Sequence, residues 1–240
     1  MSKTLLLLPV ASFAFLGLTG CGPLEEAGPM QHETKDIELD KSEILKLDVR
    51  LGVGELKVSG GAKKLVEAAF DYNVPSWKPD VSYSSTGFRG NLRIEQRSDR
   101  GTSMGGNQKC TWDIRVNDAV ATDFDFKFGV GEATLNLATA NIRSLTLNMG
   151  VGEAKIDLRG KPTKDYNVEV RGGVGEATIQ LPKDVAIVAE AKGGIGGIET
   201  RGLMKDGDRY VNDAYRKRTS PVTIRLDVKG GVGSINLIAE

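Results

Sequence analysis

The sequence predicts an all-β fold, a single-stranded parallel β-helix (β-solenoid) with a less regular N-terminal β cap. Three observations predict it. A glycine-centred motif recurs as Gly52-Val53-Gly54-Glu55-Leu56, Gly129-Val130-Gly131-Glu132-Ala133, Gly150-Val151-Gly152-Glu153-Ala154 and Gly173-Val174-Gly175-Glu176-Ala177. Weaker copies are Gly194-Ile195-Gly196-Gly197-Ile198 and Gly231-Val232-Gly233-Ser234-Ile235. Apolar residues alternate with polar ones on both sides of each copy, and no stretch carries an apolar stripe at helical spacing. Self-similarity at a near-fixed interval is the mark of stacked repeat units, and period-two alternation that of half-buried strands.

Composition sets the bounds. With 240 residues, 40% hydrophobic and 27% charged, the chain can bury a sizeable core in one domain or two small ones. Its 32 basic residues match 32 acidic ones, which argues against a mainly electrostatic nucleic-acid binder. Two cysteines exclude a disulfide-rich scaffold, and 30 glycines without a three-residue period exclude collagen.

Residues 1–20 read as a lipoprotein signal peptide. Lys3 precedes an apolar run from Thr4 to Leu18, too short for a comfortable membrane span and suited to a signal-peptide core. The run ends in Leu18-Thr19-Gly20-Cys21, which resembles the bacterial lipobox. That resemblance implies cleavage before Cys21, a diacylglyceryl group on its thiol and acylation (palmitate) of the new amino terminus. Several acyl chains would hold the protein firmly on a membrane, where one anchors only marginally. Gly22 rather than aspartate after the cysteine implies the outer membrane if the host has two.

Residues 21–43 are expected to be the lipidated cysteine and a flexible acidic tether, rich in Glu and Asp and holding His32, the one histidine. Its reach is roughly 25 Å for a flexible chain of that length. Residues 44–120 form an N-terminal β region with strands around Leu45–Leu51, Val66–Phe70, Val81–Tyr83, Leu92–Ile94 and Trp112–Val116. Pro75, Pro79 and the glycine-rich stretch 101–106 separate them. Residues 121–240 form the repeat solenoid, with motif starts at 129, 150, 173 and 194, then a longer step to 231. That step implies an insertion at about 202–220.

Each motif is expected to be a structural bend, its glycines adopting backbone angles other residues avoid and its middle valine turned inward. Strands on either side would stack in coils about 4.8 Å apart. The glutamates Glu132, Glu153 and Glu176 would then form an outer column.

With the GVGEA-type motif, the stretch Leu65-Val66-Glu67-Ala68, Lys78-Pro79-Asp80-Val81 and Gly90-Asn91-Leu92-Arg93-Ile94-Glu95-Gln96 in view, the chain resembles the bacterial toast-rack family. It also resembles the related putative-adhesin β-helix domains and the C-terminal domains of cell-wall-active antibiotic response proteins. The resemblance implies a parallel β-helix in an envelope or cell-surface protein. Gly197 and Ser234 depart from it where glutamate is expected, as does the insertion.

No catalytic residue is nominated, because the body contains no histidine for a nucleophile-base pair and its carboxylates sit at repeat positions. The glycines lack the third glycine and following helix of a dinucleotide site, so no cofactor is expected. A divalent cation on the glutamate column is weighed and set below solvated glutamates neutralised by lysines such as Lys155; no metal is assigned. Cys110 is expected to be a buried thiol, the alternative being an intermolecular disulfide. The candidate binding surface is Tyr210, Tyr215, Arg216, Lys217 and Arg218 in and after the insertion, since insertions on repeat scaffolds often line a binding face. The expected function is a lipid-anchored extracytoplasmic lipoprotein of the bacterial envelope, without enzymatic activity. It would present its surface for adhesion, scaffolding or recognition of an envelope protein or polysaccharide, with no nucleic-acid partner. Envelope-stress sensing is the alternative, and a polysaccharide-active β-helix enzyme the further one.

Overall fold

The computed structural model describes residues 27–97 and 107–240. The expected signal segment, Cys21 and the glycine-rich stretch at 101–106 lie outside them. The strands are β1 (Gln31–Ile37), β2 (Ile44–Ser59), β3 (Val66–Tyr72), β4 (Pro79–Thr86), β5 (Arg89–Gln96), β6 (Cys110–Val116) and β7 (Ala121–Asn136). There follow β8 (Ile142–Asp157), β9 (Tyr166–Leu181), β10 (Ala186–Ile195), β11 (Ile198–Arg201), β12 (Met204–Asp206), β13 (Arg209–Val211) and β14 (Thr223–Ala239). A 3-10 turn spans Pro75–Trp77, and a short α-helix, α1 (Asp213–Lys217), precedes β14.

The long strands are folded in two. A straight strand the length of β7 would run roughly 50 Å at 3.3 Å per residue. Yet Ile142 pairs with Thr122 near the start of β7, only six residues after Asn136 ends it, a reach of at most about 21 Å. Each long strand therefore doubles back at its glycine motif. Alternation shows the same fold: Phe124, Phe126 and Phe128 before the motif and Ala133, Leu135 and Leu137 after it are all buried in one core. The parity switch between Phe128 and Ala133 turns both halves toward each other. The result is two sheet leaflets joined along a glycine ridge.

Layers stack in parallel and in register: Val53 on Val130, Val130 on Val151, Val151 on Val174 and Val174 on Val232. At the N-terminal end the leaflets are capped separately. The first half of β2 pairs with β5, which pairs antiparallel with β4; the second half pairs with β6, followed by antiparallel β3 and β1.

Two expectations are corrected. The fold is all-β, but its sheet is mixed rather than one continuous parallel β-helix, and layer order departs from chain order. β14, the last strand, lies between β9 and β10. The four-residue connection 182–185 skips a layer, and the insertion carries the chain back so that β14 fills the gap. The tether is also partly ordered, since 31–37 form β1. This strand buries only Ile37, so it has no apolar alternation to betray it; main-chain pairing with β3 and polar contacts hold it. Lys64 bridges Asp36 and Glu38 at 3.1 and 2.6 Å, and Glu33 accepts from Tyr72 Oη at 2.6 Å.

Candidate binding surface

The glycine ridge is set by backbone. The second glycine of every motif has a positive φ between 132° and 143°, at Gly54, Gly131, Gly152, Gly175, Gly196 and Gly233. That angle is open to glycine alone without strain. It puts the middle residue at the outer apex of the turn, beyond the cover of either leaflet. The valines are thus exposed, correcting the expectation that they turn inward: Val130, Val151, Val174 and Val232 are 41–47% accessible and Ile195 75%. Val53 is covered, because Gln96 reaches over it, accepting from the Gly52 and Val53 amides at 2.8 and 3.0 Å.

Beyond the valines runs the expected glutamate column. Lys57 pairs with Glu55 at 2.8 Å and Lys155 with Glu153 at 2.9 Å, while Asn236 Nδ2 donates to Glu176 at 2.6 Å. Two of these carboxylates are thus paired with a lysine of their own strand, and Glu176 is held by a neutral amide. Among the described residues, no group of three or more His, Cys, Asp and Glu side chains is placed to hold a metal ion.

On the other flank lies a feature that motif reading missed. Two positions before the first glycine, Arg50, Lys127, Asn148, Arg171, Lys229 and Lys192 align across successive layers. Five of the six are cations. Two positions further back stand Asp48, Asp125, Thr146, Glu169, Asp227 and Glu190. Pairs along the strand join the two columns, with Arg50 Nε to Asp48 at 3.1 Å and Lys229 to Asp227 at 2.7 Å; Arg171 likewise contacts Glu169. Aligning the repeats on their glycines would have revealed both columns; each lysine read alone looks like ordinary surface.

Because the first glycine has no side chain, the cation column overlooks a shallow open trough of about 660 Å³. Its floor includes Gly52, Gly129, Gly150 and Gly173, and Arg50, Lys127 and Arg171 line it. The opposite edge holds a larger hollow of about 1150 Å³ lined by Arg143, Arg159 and Asp165 among others. Three of its charged residues are engaged in internal pairs: Arg143 with Asp123, Arg159 with Asp157 and Glu240, and Asp165 with Arg225.

The insertion does structural work. β13 pairs antiparallel with β10 and β12 with β13, closing one leaflet's C-terminal edge. The buried side chain of Asn212 fastens this cap: Oδ1 accepts from Ile187 N and Tyr215 N, and Nδ2 donates to the Lys183 and Val185 carbonyls. The five nominated residues are spread along this cap. Tyr210 is half-buried in β13, Tyr215 lies exposed on α1, and Arg216 and Lys217 face Asp213 at 3.9 and 2.9 Å. Arg218 is the left-handed C-cap of α1, with φ 53°. Cys110 is a free, buried thiol.

The family model for the N-terminal domain of toast_rack, DUF2154, matches residues 26–180. A crystal structure described as a putative cell adhesion protein from Clostridium sporogenes superposes with a TM-score of 0.83 at 30% identity, covering 88% of this chain and 100% of that one. A putative adhesin from Bacteroides fragilis aligns at 12% identity and TM-score 0.34, over 90% of this chain and 100% of that one. No curated protein matches the chain. The family match over more than half the sequence, with a fold shared along its length, places this chain in the toast-rack family.

Proposed function

We propose that the protein is an extracytoplasmic surface protein that works by display, offering the ridge edge of its stack for adhesion or recognition of an envelope component while Cys21 carries the lipid that holds it to a membrane. The observation that carries this reading is the line of exposed aliphatic side chains from Val130 to Ile195. It runs about 19 Å at the layer spacing, without contributing to the core. The cell-adhesion description of the Clostridium sporogenes relative supports it.

The test is retention of the purified protein, prepared from residue 22 onward, on envelope preparations. Retention above that of an unrelated β-protein of equal charge supports display, and its absence overturns it. For the anchor, Cys21→Ser is expected to release the full-length protein from the membrane fraction; persistence there would refute lipidation as the attachment.

A further inference from the structure

We infer that the trough lined by Arg50, Lys127 and Arg171 is a binding site for a linear acidic polysaccharide, laid along the stack with its carboxylates facing those cations and running on past the trough over Lys229 and Lys192, which continue the same column in the next layers. The inference rests on the display reading and names its ligand class. Three observations lead to it. The cations stand in one straight line, one per layer in all but the Asn148 layer, about 4.8 Å apart. The trough is shallow and open, so it cannot enclose a small anion but can accept an extended chain. Its floor passes over the glycines of four layers, where main-chain groups lie within reach of sugar hydroxyls.

The acidic column neutralises part of this line, since Arg50, Arg171 and Lys229 pair directly with Asp48, Glu169 and Asp227, and Glu95 also borders the trough. Those three cations are still 35–45% exposed, so donors remain on their outer side for a ligand. Lys127 has no ion pair within 4 Å among the described residues, which leaves its ammonium free for a ligand.

An anionic membrane is the competing occupant, and the far flank disfavours it. A planar surface pressed on the valine ridge would also meet Glu132, Glu153 and Glu176, in register on the other side. A chain lying in the trough avoids them. Nucleic acid would want stacking platforms, and the aromatic ring nearest the floor, Phe128, is buried.

Affinity electrophoresis of the protein from residue 22 onward, through gels containing polygalacturonate, tests the inference. Retardation is expected at low salt and lost near 0.5 M salt, because each contact is weak and the affinity is multivalent. Lys127→Gln combined with Lys229→Gln is expected to weaken it about tenfold, as for loss of two charge contacts. Glu153→Gln on the opposite flank should leave retardation unweakened, and the variants should keep the parent's unfolding midpoint. No retardation, retardation indifferent to the lysine pair, or stronger capture by phosphatidylglycerol vesicles than by polygalacturonate would each overturn the inference. Dextran, which is neutral, should not retard the protein; equal retardation by it would overturn the charge argument. A protein retained on envelope preparations but not retarded refutes the polysaccharide and leaves display standing, whereas failure in both refutes both.

Discussion

The α-carbon of Gly152 sits directly over the carbonyl of Gly131, so closely that a β-carbon there would lie 1.8 Å from that oxygen. Gly152 also has φ of +140°, so two independent constraints require glycine. The same relationship links Gly131 to Gly54 and Gly175 to Gly152, which makes the ridge a spine of touching backbones.

Gly152→Ala is therefore expected to cost at least about 3 kcal/mol, combining backbone strain with a clash against fixed main chain. Gly172, only one residue before a motif, should behave oppositely. Its added methyl meets nothing within 4 Å and its φ is not in the left-handed region. Gly172→Ala should stabilise by about 0.5–1 kcal/mol by restricting the unfolded chain. Urea unfolding of both variants decides; similar effects in the two would show that ridge geometry is not the cause.

Asp48 predicts an acid limb of stability. Burial pushes its carboxyl up, but the hydrogen bonds and charge of Arg50, with the charges of Arg93 and Lys127, outweigh that and hold it below its ordinary value. A folded pKa below the unfolded one adds stability above the unfolded value, near 4, and loses it as pH falls through the depressed folded value. Asp40 follows the same sign, lowered to about 2 by Ser42 and Tyr83. Since Arg50 and Arg93 are 35% and 51% exposed, solvent screens the pairs, and Asp48→Asn should cost only about 1–2 kcal/mol at pH 7. The gap between variant and parent should shrink as pH falls below the ordinary aspartate value and through the depressed folded one, where both become neutral at this site. A gap unchanged down to pH 2 would refute the assignment.

Asn212→Ala removes all four hydrogen bonds of the cap's fastener and leaves the Ile187 amide without its side-chain acceptor. A loss of about 2–3 kcal/mol is expected. Asn212→Asp keeps the accepting oxygen but turns a carboxylate toward the Lys183 and Val185 carbonyls, so it should also destabilise. Hydrogen exchange should report the damage first in β10, whose edge the cap covers; exchange unchanged there would mean that the insertion is not a cap.

Burial pushes the Cys110 thiol up to about 12. The thiolate is the reactive form, so at pH 8 the native protein should react with a disulfide reagent far more slowly than the urea-unfolded chain. Gly54 packs against Cys110, where an added β-carbon would lie 2.5 Å from its carbonyl oxygen. This packing also leaves no access for an intermolecular disulfide. Prompt labelling of the folded monomer would contradict the burial.

Most layers were legible in the sequence because each carries the same offsets from its glycines, so Phe126, Leu147, Val170 and Leu226 announce themselves as inward residues. What could not be read has physical reasons. β1 is held by main chain and ion pairs and has no apolar face. Val151 alternates like an inward residue, and only the turn at Gly152 turns it out. The cations were readable as a column once the repeats were aligned, but not residue by residue. Neighbour order was invisible, because β10 and β11 together present an apolar inner surface like that of β14: Ala189 stands beside Leu226, and Ile198 beside Ile235.

That hidden order gives the last prediction. In a sequentially stacked solenoid, deleting the terminal repeat exposes one interface and leaves the other layers paired. Here the C-terminal strand is interior: β14 pairs along its length with β9 on one side and with β10 and β11 on the other. Ending the chain at Ser220 should therefore remove the support of β10, β11, β12, β13 and α1 together, since the other partner of β10 is the short cap strand β13, which pairs with it at only two residues. Residues 186–220 should lose hydrogen-exchange protection and become open to proteolysis, while β2, β7 and β8 keep theirs because their layers lie further from the break. Protection persisting in β10 of the truncated protein would mean that it can pair directly with β9, and that the layer order seen here is not the one that holds the C-terminal end together.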